Sequence, residues 1–168
     1  MDRATVLGAA KAASAAGEAM RPKPAQSDPL FERFERRVSD PELRAAVRTR
    51  VESGHYADAV ETAVKFLVTL VHTRSGCDPD ADGTGLMTKV FSVGNPILRL
   101  NAGRTKSDLS EQLGYMHLYA GVVAAIRNPR AHRADVEDSP DAALMMLEWT
   151  NHLVFRARAA RRVRKQVR

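Results

Sequence analysis

The chain has 168 residues, of which 44% are hydrophobic, 27% charged and 5% aromatic, a composition typical of one soluble globular domain. The longest apolar run is far shorter than the roughly 20 residues of a transmembrane helix. A single cysteine, Cys77, excludes an internal disulfide and a structural zinc site. The N-terminal segment lacks the apolar core of a secretory signal, so we expect a cytoplasmic protein without a membrane partner.

The net charge of +6 comes from the C-terminal end of the chain. Residues 156–168 hold seven basic side chains and no acidic one, whereas the other 155 residues hold 19 basic and 20 acidic side chains. A basic tail can bind phosphates through counterion release. A solvated helix end has the same composition, so both interpretations of the tail stay open.

The chain divides into three predicted regions. Residues 1–29 form a flexible segment, Ala-rich at first and then Pro-rich, because three prolines between residues 22 and 29 prevent a continuous helix. Residues 30–158 are the predicted folded domain, and residues 159–168 the basic tail. Few aromatic residues and abundant Ala and Arg favour helices over strands in the folded domain.

Capping residues mark the first predicted helices. Asp40 followed by Pro41 is a strong helix start, and Gly54 predicts the end of that helix. The next helix, from Tyr56, has apolar residues at steps of three and four and ends at Gly76. A short helix over residues 85–92 is broken by Asn95-Pro96, and residues 97–100 are predicted to be extended.

Two helices complete the prediction. Ser107 is expected to cap a long helix that Pro129 ends, and Ser139-Pro140 starts the last helix. The side chains predicted to face inward are Leu109, Leu113, Met116, Val123 and Ile126 on the first helix and Leu144, Leu147, Trp149 and Leu153 on the second. Gly114 and Gly121 would let another helix approach closely. The whole pattern predicts an all-α bundle of four to five helices with short loops.

The acidic stretch DPDADG at residues 78–83 has part of the spacing of a calcium-binding EF-hand loop. The twelfth position of that loop, however, is Lys89 instead of the bidentate Glu that completes a calcium cage. The sequence therefore predicts a solvated acidic loop and no metal site here.

The stretch AAIRNPRAHR, residues 124–133, carries the most specific candidate site. Arg127, Asn128 and His132 surround the helix-breaking Pro129. A continued helix would set Arg127 and His132 about 140° apart around its axis, because five residues turn it by about 500°. A turn at Pro129 would instead bring His132 back beside Arg127. Arg50 and His55 have the same spacing without this context.

The chain resembles the bacterial Ymh-type family, a branch of the HEPN superfamily of helical nuclease and nucleotide-binding domains. The matching pieces are GHYADAVETAVK, DGTGLMTKVFS with NPILRL, and SEQLGYMHLYAGVVAAIRNPRAH with the acidic segment that follows it. The resemblance covers about residues 40–155. The superfamily signature is an Arg followed four to six residues later by a His, often with a polar residue after the Arg, which here means Arg127, Asn128 and His132.

The resemblance implies metal-independent cleavage of RNA, with no cofactor, at a composite site between two protomers. We expect a homodimer built on helices 108–128 and 140–158, and a role as a toxin or effector of a phage-defence or toxin–antitoxin system with a cognate antitoxin or defence protein. Imidazole can accept a proton near neutral pH, and guanidinium matches phosphate oxygens. Secondary candidates for substrate contacts are Arg130, Glu111 and Lys65.

Other interpretations of these residues remain open. Glu111 could orient a partner's arginine, or it could be a first-turn carboxylate favoured by the helix dipole. Lys65 could contact phosphate or belong to a solvated face. The same fold could bind a nucleotide or RNA without cleavage, or could serve mainly for dimerisation, with the basic tail in contact with nucleic acid.

Overall fold

The computed structural model describes residues 29–77, 83–133 and 135–163. Within these residues the elements follow in the order α1 Pro29–Arg37, α2 Pro41–Glu52, α3 Tyr56–Ser75, α4 Gly83–Val90, β1 Leu98–Arg99, α5 Lys106–Gly121, a π-helical segment Val122–Arg127, α6 Asn128–His132, α7 Pro140–Ala159 and β2 Arg161–Arg162. The all-α prediction is confirmed; α1 is an additional helix. In the described part of the chain no helix is both long and apolar enough to cross a membrane.

Local capping residues set the helix ends as the sequence predicts. The Asp40 carboxylate accepts a hydrogen bond from the Leu43 N–H (2.9 Å) at the start of α2, with Pro41 in the first turn. Ser139 does the same for Ala142 at the start of α7. Gly76, with a φ of 63°, ends α3 in the left-handed conformation that glycine adopts without strain.

Helix α3 is the centre of the core. Of the residues that recur at steps of three and four along it, Val60, Ala63, Leu67 and Val71 are fully buried and Tyr56 is half-buried. The helix packs against α2 and α7 and against the π-helical segment. Leu144, Leu147 and Leu153 of α7 are buried as predicted.

The inward face predicted for the long helix is confirmed only in part: Val123 is buried and Met116 and Ile126 are half-buried, but the face of α5 differs from the prediction. Leu109 and Leu113 are 42% and 43% exposed, while Gln112 and Tyr119 are buried. Trp149 of α7 is 55% exposed instead of inward. Both helices carry apolar residues on several faces, so the spacing of apolar residues alone could not identify the buried face. The predicted cap is also shifted, because Thr105, not Ser107, forms a capping box with Asp108.

The prediction that Pro129 ends the long helix is wrong. The backbone stays helical through Arg127, Asn128 and Pro129 up to His132. The preceding segment widens to a π-helix, in which the Asn128 N–H bonds the carbonyl five residues back, on Val123. We attribute the continuation to this widening, because it moves the preceding turn away from the ring that normally clashes with it.

A two-stranded antiparallel ribbon closes one end of the bundle. Strand β1 lies in the segment predicted to be extended, and it pairs with β2 so that Leu98 faces Arg162 and Arg99 faces Arg161. The described fold therefore continues past residue 158, because Arg161 and Arg162 of the predicted tail form β2. Ala160, between α7 and β2, is 3% exposed.

Candidate functional site

Arg127 is half-buried at the end of the π-helical segment. Its Nη1 donates a long hydrogen bond of 3.4 Å to the side-chain oxygen of Asn128. Its Nε is buried and has no hydrogen-bond partner among the described residues. Among the described residues, most of the donors of this guanidinium therefore have no acceptor.

His132 is the last residue of α6, and its side chain is exposed. Because the helix continues through Pro129, His132 lies one turn beyond Asn128, on the same face of the helix. Arg127 lies about 140° away from it around the axis. The turn that was predicted to bring His132 back beside Arg127 is absent from this described segment. Asn128 is instead the residue that links the two, because it contacts Arg127 and lies one helical turn before His132.

Arg130, a secondary candidate for substrate contacts, is held by the fold. Its guanidinium forms two hydrogen bonds with the carboxylate of Asp138, and its Nη1 donates to the Ile126 carbonyl (2.7 Å). Both side chains of the ion pair are only 9% exposed. Arg130 thus ties the loop after the motif to the motif helix, and sequence reasoning missed Asp138 in the acidic stretch before α7.

The two other secondary candidates also have partners within the chain. The Glu111 carboxylate accepts hydrogen bonds from Arg156 (2.6 Å) and from the Asn101 side chain (2.9 Å). Lys65 lies 2.8 Å from the carboxylate of Glu61, one turn before it on α3, and its side chain is 55% exposed. The geometry of Lys65 is that of a solvated helix face.

Large apolar side chains are exposed on α5 and α7. Their exposed fractions range from 42% to 64%, and they are Leu109, Leu113, Leu118, Met145, Trp149 and Phe155. Gly114 and Gly121 of α5 have open space where a side chain would begin. A shallow pocket of about 480 Å³ lies on α7 between Met145, Glu148, Trp149 and His152.

A polar cluster joins α5 to α7 beside these apolar residues. The Tyr115 hydroxyl and the His152 ring nitrogen are 2.8 Å apart, and the Arg156 guanidinium lies 4.6 Å from the centre of the Tyr115 ring. Below them, the buried Tyr119 hydroxyl donates to the Leu153 carbonyl (2.8 Å). Burial raises the pKa of Tyr119 far above its ordinary value, so Tyr119 is a structural residue.

The remaining candidates of the sequence are the acidic stretch at residues 78–83 and Cys77. Asp78, Asp80 and Asp82 of the acidic stretch lie outside the described residues. Within the described ranges, no group of three or more His, Cys, Asp or Glu side chains is arranged to hold a metal ion. Cys77 is half-buried.

The fold and the site define an all-α domain with an arginine, an asparagine and a histidine along the end of one long helix. The family model described as Hypoth_Ymh, a protein of unknown function, matches residues 37–156. The chain therefore belongs to this family. Neither the curated proteins nor the solved structures that were searched gave a match.

Proposed function

We propose that this protein is a metal-independent endoribonuclease of the HEPN superfamily, with Arg127, Asn128 and His132 as its catalytic residues. The observation that carries the proposal is an exposed imidazole one helical turn from Asn128, which in turn contacts a half-buried guanidinium with unused donors. A phosphodiester in this place would meet a base, an amide and a positive charge.

The proposed chemistry uses imidazole and guanidinium groups and no metal ion. The His132 imidazole takes the proton of a ribose 2′-hydroxyl, the 2′-oxygen attacks the adjacent phosphorus, and the bond from phosphorus to the 5′-oxygen breaks. The leaving 5′-oxygen receives a proton from a second imidazole. Arg127 stabilises the negative charge that develops on the phosphate oxygens. The products carry a 2′,3′-cyclic phosphate and a 5′-hydroxyl.

A homodimer would complete this site. Within one chain Arg127 and His132 diverge around the helix, and one imidazole cannot accept the first proton and donate the second at the same time. A second protomer would supply another imidazole and another guanidinium across a two-fold axis. The exposed apolar side chains on α5 and α7 support this arrangement, because such faces favour burial in an interface.

The biological role follows from the superfamily resemblance. We propose a cytoplasmic toxin or effector of a phage-defence or toxin–antitoxin system, with RNA as substrate and a cognate antitoxin or defence-system protein as partner. The restraint of such an activity by a partner would explain how a cell tolerates a ribonuclease that needs no metal.

A second candidate is a module that binds a nucleotide or RNA without cleaving it. The straight course of the helix through Pro129 favours this alternative, because it separates Arg127 from His132. Arg127 and Asn128 could still bind a phosphate there.

The test is cleavage of end-labelled RNA in excess chelator by the parent protein and by the Arg127→Ala and His132→Ala variants. Arg50→Ala and His55→Ala are matched controls, because Arg50 and His55 have the same spacing and are both exposed. We expect the motif variants to lose at least a hundredfold in rate and the controls to keep it, with unchanged thermal unfolding. RNA binding without cleavage by the parent would support the second candidate, and cleavage that persists in both motif variants would exclude this site.

A further inference from the structure

The ribbon of β1 and β2 brings two arginines side by side at the end of the bundle away from the motif. Arg99 and Arg161 are directly paired across the antiparallel strands, so their side chains share one face with Cβ atoms about 5 Å apart. Arg161 is exposed and Arg99 half-buried. Neither forms an ion pair with a carboxylate among the described residues. Like charges in this arrangement repel each other.

A buried glutamine fixes the strand that carries Arg99. The Gln112 side chain, 3% exposed, accepts a hydrogen bond from the Leu100 N–H (3.0 Å) and donates to the carbonyls of Leu98 (3.1 Å) and Phe91 (3.0 Å). Its amide thus pairs with the edge of β1 that faces away from β2. The short strand is held on both edges, and the backbone of Arg99 has little freedom to move away from Arg161.

A glycine turn makes room for the Arg99 side chain. Gly103 has a φ of 66°, and a Cβ atom at this position would lie 2.8 Å from Nη1 of Arg99. The Asn101 side chain holds the turn by accepting from the Gly103 N–H (3.0 Å). Glycine therefore leaves the space that the guanidinium occupies.

Nearby carboxylates do not neutralise the pair. The Asp108 carboxylate accepts from the Arg104 and Thr105 N–H groups (2.8 and 3.2 Å), and Glu111 pairs with Arg156. Two further basic residues, Arg104 and Lys106, are exposed in the loop after β1 and at the start of α5. The backbone thus places the two arginines side by side, and no carboxylate among the described residues pairs with either of them.

We propose that Arg99 and Arg161 form a docking site for the phosphate backbone of RNA. A phosphate carries oxygens on several sides, so two neighbouring guanidiniums can bind it together, each through paired hydrogen bonds. Binding would also remove the repulsion between the two arginines. The backbone that carries both arginines is held in place before the ligand arrives, which lowers the entropy cost of binding.

The site lies at the opposite end of α3 from the motif. Arg74, in the last turn of α3, donates to the Ala160 carbonyl next to β2 (2.7 Å). At the other end, the start of α3 lines a pocket of about 410 Å³ together with Val136, Glu137 and Asp138, in the loop after α6. A helix of 20 residues is about 30 Å long. The docking site would therefore hold RNA at a distance from the cleavage site, independently of whether cleavage occurs.

The test measures binding of a 2′-O-methyl oligoribonucleotide, which lacks the attacking hydroxyl and cannot be cleaved by the proposed mechanism. For the Arg99→Gln/Arg161→Gln variant we expect the slope of log affinity against log salt to fall by about 0.7, which is the loss for the one single-strand phosphate that the pair binds. The Arg36→Gln/Arg50→Gln variant has the same change of charge on exposed arginines outside the ion pairs, and its slope should fall by less than half as much.

A second variant separates position from charge. Gly103→Ala keeps every charge, but its Cβ would displace the Arg99 guanidinium, and a φ of 66° also strains the turn at this position. In protein that unfolds at the parent temperature, it should weaken binding severalfold at unchanged net charge. Equal effects of the two double variants, or an unchanged slope in Arg99→Gln/Arg161→Gln protein that unfolds at the parent temperature or above, would overturn the proposal. Equal displacement of the RNA by polyglutamate at matched charge would also overturn it, in favour of an acidic protein partner.

Discussion

The arginines near the two ends of α3 differ in whether a carboxylate of the described residues pairs with them. At the motif end, Arg130 is nearly buried and fully engaged with Asp138 and a backbone carbonyl. At the ribbon end, Arg99 and Arg161 face each other without a carboxylate among the described residues. A guanidinium that is paired within the chain stabilises the fold, whereas one held in place without a partner is available to a ligand. This difference is invisible in the sequence, where all three are arginines near a turn.

The largest expected effect is at the paired end. Asp138→Ala leaves the Arg130 guanidinium buried without its counter-ion, so the free energy of unfolding should fall by about 3–5 kcal/mol. The exposed Arg133–Asp135 pair is the control, and Asp135→Ala should have a much smaller effect because solvent screens an exposed ion pair. Urea unfolding followed by circular dichroism measures both. Equal losses would show that the Arg130 pair has no special structural role.

The ribbon end should depend most on Gln112. Gln112→Met keeps the approximate volume but leaves two carbonyls and one N–H of the β1 region without their partner. We expect a loss of about 3 kcal/mol in the free energy of unfolding. Hydrogen exchange should show faster exchange at Leu100 than in α3. Protection of Leu100 at the parent level would contradict this role.

The surface between the two ends tests the proposed dimer. Trp149→Glu places a charge in an exposed apolar position that the fold does not bury. Sedimentation should show a dimer for the parent and at least about a thirtyfold weaker dimer for the variant, because a central Trp contributes about 2 kcal/mol or more to an interface. Glu32→Gln is a control on the exposed surface of α1. A parent protein that is monomeric and fully active at micromolar concentration would exclude the composite site.

The smallest expected effect concerns Asp40, which caps α2 and pairs with Arg158 (2.6 Å). Burial opposes its ionisation, but the Arg158 guanidinium and the Leu43 N–H together hold the pKa of Asp40 below its ordinary value of 3.8. The ionised form therefore stabilises the fold above pH 3.8, and this contribution is lost as the pH falls below that value. Asp40→Asn should cost about 1 kcal/mol at neutral pH and less at pH 3. A difference that stays constant with pH would contradict the ion pair.

Local rules predicted a large part of this fold. The starts of α2 and α7 and the end of α3 depend on Asp40, Ser139 and Gly76, whose effects extend over one helical turn. The core face of α3 follows from spacing alone. These features were predicted because their causes lie within a few residues of each other in the chain.

Features that depend on distant contacts were not predicted. Pro129 should end a helix by local rules, but the widened segment before it accommodates the ring. Asp138 meets Arg130 only because the loop between them folds back. The motif residues Arg127, Asn128 and His132 were found from their types and spacing, yet their relation in space depends on the course of the backbone, which composition and periodicity do not specify.

The π-helical segment has one more consequence. A π-helix contains about one residue more per turn than an α-helix, so it acts as a one-residue insertion in the path of the long helix. Every side chain after it is rotated by about 100° relative to α5. The length of Val122–Arg127 therefore sets the direction in which Asn128 and His132 point. Deletion of a single alanine from this segment would keep the order of the motif residues. It would direct the side chains of Asn128 and His132 toward another side of the molecule.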